Sequence, residues 1–198
     1  MKRVSFIILA LIVTVQLLAM FGSTSAYQVD TETSSDNSIT AWVTETLTLL
    51  TDGFEGSPWD NLWNGNGTTT WARSSTRKYA GTYSALSVKK NKGFLTSDDL
   101  NTSYAISVTV SFWFYPKSLE ASDVIIQRYN GTTYINWYDL TAYSTYQDSQ
   151  WRQFNETFTD SQYFKSNFRL RFNSSSLTDN NDEVNIDDVL ITIQHERP

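Results

Sequence analysis

The sequence predicts an all-β protein, an antiparallel two-sheet jelly-roll-like sandwich preceded by an N-terminal signal segment. From Ile39 onward, short apolar or alternating runs are separated by Gly, Asn, Asp and Ser. No stretch of about 12 residues after the N-terminal segment has a helical period. Aromatic residues make up 15% of the chain and prolines number 3, a composition typical of a packed β-rich fold and not of a disordered one.

Residues 1–26 have the pattern of an export signal. Two basic residues precede the apolar run 6–21, and residues 24–26, Thr-Ser-Ala, form a small-x-small cleavage site. We prefer cleavage before Tyr27, and the alternative is an uncleaved anchor, because residues 4–22 approach the ~20 needed to span a bilayer. The sequence therefore predicts a secreted or cell-surface protein, attached to a membrane only if the segment is uncleaved.

The remaining chain divides into three parts. Residues 27–38 are polar and without periodicity, which predicts a short tether. Residues 39–194 carry the strand pattern and form the predicted sandwich domain. Residues 195–198 form a C-terminal tail.

Composition argues against several classes of function. The chain has no cysteine, so disulfides, thiolate metal sites and cysteine nucleophiles are excluded. Its net charge is −6, and −8 without the two basic residues of the signal, which argues against a nucleic-acid partner. The single histidine, His195, lies near the C-terminus, where a histidine-dependent catalytic triad is not expected. Five Asn-x-Ser/Thr sequons are present, and these make a glycoprotein only in a host that glycosylates asparagine.

The strands can be placed and two of them phased. We predict strands at 46–54, 83–89, 93–96, 106–115, 123–129, 134–138, 151–157, 168–173 and 184–193. The Asn-Gly pair at 130–131 predicts a hairpin with a type I′ turn. Alternate residues from Val108 to Phe114 are apolar, which leaves Trp113 and Tyr115 on the opposite face. In the strand from Phe168 to Phe172 the outward residues are Arg169 and Arg171, and if both strands share a sheet, these aromatic and guanidinium groups share a face.

The last strand contains a break in its alternation. Val184 and Ile186 occupy one phase, but Val189 and the apolar residues after it occupy the other. The slip falls at Asp187-Asp188 and predicts a β-bulge there. An acidic pair inside an apolar strand needs a cation, hydrogen bonds or solvent to offset its desolvation.

Several segments in order resemble known domains. These are the run Asp52 to Gly56, the tryptophans Trp59, Trp63 and Trp71, the run Tyr79 to Ala85, the strand Val108 to Tyr115 and the closing Ile186 to Val189. Together they are similar to MAM-like and carbohydrate-binding-module-like jelly rolls, over roughly residues 52–193, although MAM domains usually carry cysteines.

The resemblance implies a structural calcium ion where the first and last strands meet. Glu55 with Asp187 or Asp188 matches that position, Asp52 could assist, and oxygen ligands of this kind suit Ca²⁺. A bulge satisfied by backbone N–H groups and water is the open alternative. The acidic run 179–183 is interpreted as a solvated turn rather than a second calcium site.

Aromatic side chains are the candidate ligand-binding residues. Trp113, Tyr115, Tyr134 and Tyr138 could stack on sugar rings if they converge on one exposed surface, and Tyr134 and Tyr138 are expected to flank Asn136 on one strand face. Core packing is the alternative role for each.

The sequence thus favours an exported, non-catalytic binding or adhesion module for a glycan or a cell-surface partner. A structural or self-associating cell-envelope protein is the alternative hypothesis. A polysaccharide-active enzyme is the third, because a glycosidase needs only two carboxylates.

Overall fold

The computed structural model describes residues 26–30, 39–64 and 70–197. Within these ranges the strands are β1 Ala26–Asp30, β2 Ile39–Asp52, β3 Ala72–Ser74, β4 Ser84–Val88, β5 Phe94–Thr96, β6 Ser107–Lys117, β7 Ile125–Tyr129, β8 Tyr134–Asp139, β9 Arg152–Phe158, β10 Leu170–Asn173 and β11 Glu183–Arg197. Short 3₁₀ turns lie at Lys89–Asn91, Leu140–Ala142 and Ser161–Tyr163. The predicted all-β class is confirmed, and the described residues include no helix long and apolar enough to cross a membrane.

The chain divides into two compact units, one of residues 46–195 and one of residues 1–45 with 196–198. In the smaller unit β1 pairs antiparallel with β2, from Ala26 opposite Val43 to Asp30 opposite Ile39. Residues 27–30 therefore lie in a strand where the sequence analysis predicts a tether, and Ala26, the last residue of the predicted signal, begins that strand. The rest of the predicted tether, residues 31–38, and the predicted signal up to Ser25 lie outside the described residues.

The larger unit is a sandwich of two antiparallel sheets, as predicted. Its small sheet has the strand order β5-β10-β7-β8. In the large sheet, β11 pairs with β6 along one edge, and β9 continues the sheet beyond β6. On the other edge β11 pairs with β2 and with β4, which in turn pairs with β3.

A β-bulge divides β11, as its alternation predicts. Asp187 lies opposite Trp113 of β6, and the next pair is Leu190 opposite Ser111, so β11 contributes one residue more than its partner. Asp188 takes up the extra length with a positive φ of 47°. The bulge restores the phase of the strand, because Ile186 before it and Val189 after it both point into the core and are buried.

Aromatic and branched side chains fill the space between the sheets. The predicted inward row of β6, Val108 to Phe114, is fully buried, as is the inward row of β10. Phe112 of the large sheet stacks on Phe154, with ring centroids 4.6 Å apart, and meets Phe172 of the small sheet edge-on at 4.9 Å. The contact between Phe112 and Phe172 joins the two layers, because each ring removes a large apolar area from water.

The predicted type of turn between β7 and β8 is wrong. The hairpin after Tyr129 exists, but Tyr129 pairs with Tyr134, so the loop has four residues and not the two of a type I′ turn. Asn130 closes it by accepting hydrogen bonds from the N–H groups of Thr132 and Thr133, and only Gly131 among the loop residues has a positive φ.

Strands β6 and β10 lie in different sheets, so the side chains that point outward from them belong to opposite surfaces. The condition under which Trp113 and Tyr115 would share a face with Arg169 and Arg171 is therefore not met.

Replacing Phe112 by Ala should lower the free energy of unfolding by about 3–5 kcal/mol, because the cavity would lie between the sheets. Leu190→Ala is the matched control, since Leu190 is on the same sheet but 40% exposed, and should change it by less than about 1 kcal/mol. Urea unfolding followed by tryptophan fluorescence measures both. Equal effects would show that Phe112 does not join the layers.

Candidate functional site

The structure separates the four aromatic residues predicted to bind ligand. Trp113 and Tyr115 point outward from the large sheet, and Tyr134 points outward from the small sheet. The register of β7 and β8 shifts between Ile126 and Gln127, which places Tyr138 opposite the buried Ile126. Tyr138 therefore packs edge-on against Phe154 at the margin of the core, at 5.3 Å. The expectation that Tyr134 and Tyr138 share a face is wrong, because this bulge reverses the alternation between them.

The segment before β4 lies over part of the outer face of the large sheet. The ring of Tyr79 stacks on Trp113 with centroids 3.7 Å apart and planes 10° apart. Arg77 lies over the Tyr115 ring at 4.8 Å and forms an ion pair of 2.8 Å with Glu183. The faces of the two predicted ligand aromatics are thus used for packing within the chain.

The bulged carboxylate of Asp187 holds this segment in place. Its Oδ2 accepts hydrogen bonds from the N–H groups of Tyr79 (2.7 Å) and Ala80 (3.2 Å), and its Oδ1 accepts one from Asp188 (2.8 Å). Burial raises the pKa of Asp187 to about 6, while the three N–H donors act in the opposite direction and the Asp188 carboxylate adds to the rise.

Glu55 holds the other end of the same segment. Its Oε1 accepts hydrogen bonds of 2.8 Å from the N–H groups of Thr82 and Tyr83, which lower the pKa of Glu55. Gly81, directly before Thr82, has a φ of 58°, and a Cβ there would lie only 2.5 Å from the Glu55 carboxylate. This close approach explains the glycine in the Tyr79 to Ala85 run.

Three of the four carboxylates predicted to bind calcium, Asp52, Glu55 and Asp187, accept hydrogen bonds within the chain. Asp52 accepts hydrogen bonds from the N–H of Phe54 (2.8 Å) and from the indole N–H of Trp63 (2.6 Å), and Asp187 and Glu55 hold the segment before β4. The Asp188 residue is exposed as a whole. Partial desolvation of its carboxyl group and repulsion from Glu55 raise the pKa of Asp188. The bulge and the backbone N–H groups that the alternative interpretation requires are both present. Calcium binding by these four carboxylates stays a prediction.

A different acidic cluster brings three carboxylates within metal-binding reach. Glu120, Asp123 and Asp182 each place an oxygen within 4.8 Å of the other two. Asp123 and Asp182 are buried, so the interpretation of residues 179–183 as a solvated turn fails at Asp182. The sequence did not indicate this cluster, because its members come from two loops 59 positions apart.

Asp182 leaves one oxygen of the cluster without a partner. Its Oδ2 accepts hydrogen bonds from the N–H groups of Thr178 (3.0 Å) and Asp179 (2.7 Å), whereas its buried Oδ1 accepts none. A hydrogen bond to Asp123, burial and repulsion from Asp182 raise the pKa of Glu120. A buried oxygen beside two other carboxylates is suited to a cation, so this cluster could hold a metal ion.

The outer face of the small sheet combines aromatic, amide and guanidinium groups. We call it the small-sheet face and define it by the outward side chains Phe94, Thr96, Ile125, Gln127, Tyr129, Tyr134, Asn136, Asp139, Arg169, Arg171 and Asn173. Phe94 is its most exposed ring, with 42% of its surface accessible. The sequence indicates only Tyr134, Asn136 and the two arginines among these residues, because β5 and β7 are too short to show which face is outward.

Neighbouring strands position the polar groups of the small-sheet face. Gln127 of β7 donates a hydrogen bond of 2.8 Å to the side-chain oxygen of Asn136 on β8. The rings of Tyr129 and Tyr134 lie 4.9 Å apart across the same two strands. Arg169 pairs with Asp99 and lies over Tyr129 at 5.2 Å. Because these contacts fix the side chains, the face is ordered before any ligand binds.

Comparisons with known proteins find relatives of the fold. No protein-family model and no curated protein matches the chain. The CBM22-1 xylan-binding domain of Paenibacillus barcinonensis Xyn10C matches with a TM-score of 0.52 and 15% identity, over 74% of this chain and 94% of that one. The tandem CBM22-1-CBM22-2 domain of the same protein matches with a TM-score of 0.52 and 15% identity, and the match covers 77% of this chain and 47% of the tandem. A family 16 carbohydrate-binding module has a TM-score of 0.46 and 15% identity.

These similarities show the fold alone. The chain has a β-sandwich like that of carbohydrate-binding modules, which confirms this part of the resemblance drawn from the sequence. The MAM-like part is not confirmed.

The raised pKa of Asp187 predicts a pH dependence of stability. Because the folded-state value of about 6 exceeds the ordinary 3.8, the stabilisation is complete below about pH 4 and is lost as the pH rises through 6. The free energy of unfolding should fall across this window by up to about 3 kcal/mol. Urea unfolding from pH 4 to pH 7, with chelator present, measures the fall.

Asp187→Asn is the control, because an amide does not titrate. The difference in unfolding free energy between wild type and variant should change with pH across this window. Parallel pH profiles for the two proteins would contradict the assignment to Asp187.

Proposed function

We propose that this chain is a non-catalytic binding module that binds a glycan on the small-sheet face. The observation that carries the proposal is the exposed ring of Phe94 beside fixed amide and guanidinium donors on one sheet face. An aromatic ring packs against the C–H face of a sugar, and amide and guanidinium groups hydrogen-bond its hydroxyls. The xylan-binding neighbour with the same fold supports a polysaccharide as the ligand class.

The carboxylates near the small-sheet face support binding without catalysis. Glycoside hydrolysis uses two carboxyl groups on either side of the scissile bond. Among the described outward side chains of this face the one carboxylate is Asp139, at the end of β8. At its margins Asp99 pairs with Arg169, and Asp139 accepts hydrogen bonds from the N–H groups of Ser122 and Thr141. Export to the cell surface or medium, as the N-terminal sequence predicts, would place such a module where polysaccharides occur.

Phe94→Ala should weaken polysaccharide binding roughly tenfold, because it removes an exposed stacking ring. Tyr79→Ala is the matched control, since Tyr79 is a ring of similar exposure, 43%, on the outer face of the other sheet. Affinity electrophoresis in gels containing xylan, β-glucan or polygalacturonate measures both. We expect retardation of the wild type and of Tyr79→Ala.

Loss of retardation in Tyr79→Ala alone would transfer the site to the face of Trp113 and Tyr115. Absence of retardation for the wild type in every gel would contradict glycan binding. Concentration-dependent light scattering that Phe94→Ala abolishes would instead support the self-associating alternative.

We also propose that the cluster of Glu120, Asp123 and Asp182 binds a structural Ca²⁺. The supporting observation is the buried Asp182 Oδ1, which has no hydrogen-bond donor and lies beside two further carboxylates. Ligands that are all oxygen favour Ca²⁺ over transition metals. The ion would connect the loop after β6 to the loop before β11.

Calcium at 100 times its dissociation constant should raise the melting temperature by about 5–10 °C, because it binds the folded state alone. Asp182→Asn should abolish this rise, since it removes a charge but retains an acceptor for the N–H groups of Thr178 and Asp179. Asp188→Asn, at the site predicted from the sequence, should retain it. Differential scanning calorimetry with Ca²⁺ and with EDTA measures all three proteins.

An unchanged melting temperature in EDTA would contradict calcium at either position. A rise lost only in Asp188→Asn would place the ion at the strand-end site instead.

A further inference from the structure

Arg171 lies at the middle of the small-sheet face. Its strand, β10, is flanked by β5 and β7, and Arg171 pairs in register with Thr96 and Gln127. Its guanidinium lies 3.2 Å from the ring centroid of Tyr134 and 4.5 Å from that of Phe94. The cation therefore lies over both rings, beside the exposed part of Phe94 against which a sugar would pack.

The charge of Arg171 has no carboxylate partner in the part of the chain that the structure describes. Its Nε donates a hydrogen bond of 3.1 Å to the hydroxyl of Thr96, and the Tyr134 hydroxyl is a further acceptor near the guanidinium, so both neighbouring acceptors are neutral. Arg169, which directly precedes this strand, pairs with Asp99. Burial and repulsion from Arg169 lower the pKa of Arg171.

A half-buried cation that contacts rings and neutral hydroxyls, with no carboxylate among the described residues, is suited to receive an anion. Aromatic stacking offsets part of its desolvation, but a carboxylate would offset more and would fit the planar guanidinium through two parallel hydrogen bonds. The net charge of the chain, −6, does not oppose this contact, because screening limits charge repulsion to about 8 Å at physiological ionic strength.

We infer that the glycan bound on the small-sheet face is acidic, with the carboxylate of a uronic acid paired to Arg171 and the sugar ring packed against Phe94. This inference rests on the proposed function and specifies its ligand class. The hydroxyl groups of the sugar would meet Gln127 and Asn136.

The test compares polygalacturonate with the same polymer fully methyl-esterified, because esterification removes the charge and keeps the backbone. The full chain should bind the charged polymer at least roughly tenfold more tightly, in isothermal titration calorimetry at low salt. The preference should shrink in 0.5 M NaCl, where exposed charges are screened.

Variants of Arg171 assign the preference to one side chain. Arg171→Gln should abolish it, and Arg171→Lys should retain part of it, since lysine keeps the charge but not the planar pair of donors. Lys78→Gln, which removes one exposed positive charge from the segment on the outer face of the large sheet, is the matched control and should bind as the wild type does. Circular dichroism verifies the fold of each, and the salt dependence of the wild type gives the answer if Arg171→Gln fails to fold.

Equal affinity of the wild type for the two polymers would overturn this inference and leave glycan binding standing. A preference that survives Arg171→Gln unchanged would also overturn it. Absence of binding to these polymers, to xylan and to β-glucan would overturn the proposed function itself.

Discussion

The carboxylate of Asp187 is the constraint on which the arrangement of the sandwich depends. The bulge at this residue lets both halves of β11 face the core, because the alternation would otherwise turn Val189 and the residues after it outward. The same bulge leaves a buried carboxylate that the N–H groups of Tyr79 and Ala80 must satisfy. Their segment then covers Trp113 on the large sheet, whereas the small-sheet face combines fixed polar groups with the exposed ring of Phe94.

Much of the fold follows from period-two patterns in the sequence. The strand around Phe112 and the bulge at Asp187-Asp188 are predictable because each buries a continuous apolar row. The pairing of strands cannot be predicted in this way, because alternation shows which residues share a face but not which sheet a strand joins. The prediction of a type I′ turn at Asn130 is wrong for a local reason. The asparagine side chain accepts two backbone hydrogen bonds, and these close a longer loop.

The candidate site was less predictable than the fold. Trp113 and Tyr134 were both identified as outward aromatics, but only the three-dimensional structure shows that Tyr79 covers the first. Phe94 went unnoticed because its strand has three residues, too few to show an alternation. The cluster around Asp182 depends on a contact with Glu120 between distant loops, which no spacing rule reports.

The most direct test of glycan binding on the small-sheet face is a titration of the ¹⁵N-labelled full chain with an oligosaccharide, followed by NMR. We expect amide shifts concentrated in β5, β7, β8 and β10, with the side-chain amides of Gln127 and Asn136 among the largest. Shifts concentrated in β6 and β9, around Trp113, would contradict the placement of the site. No shifts with neutral or acidic oligosaccharides would contradict glycan binding.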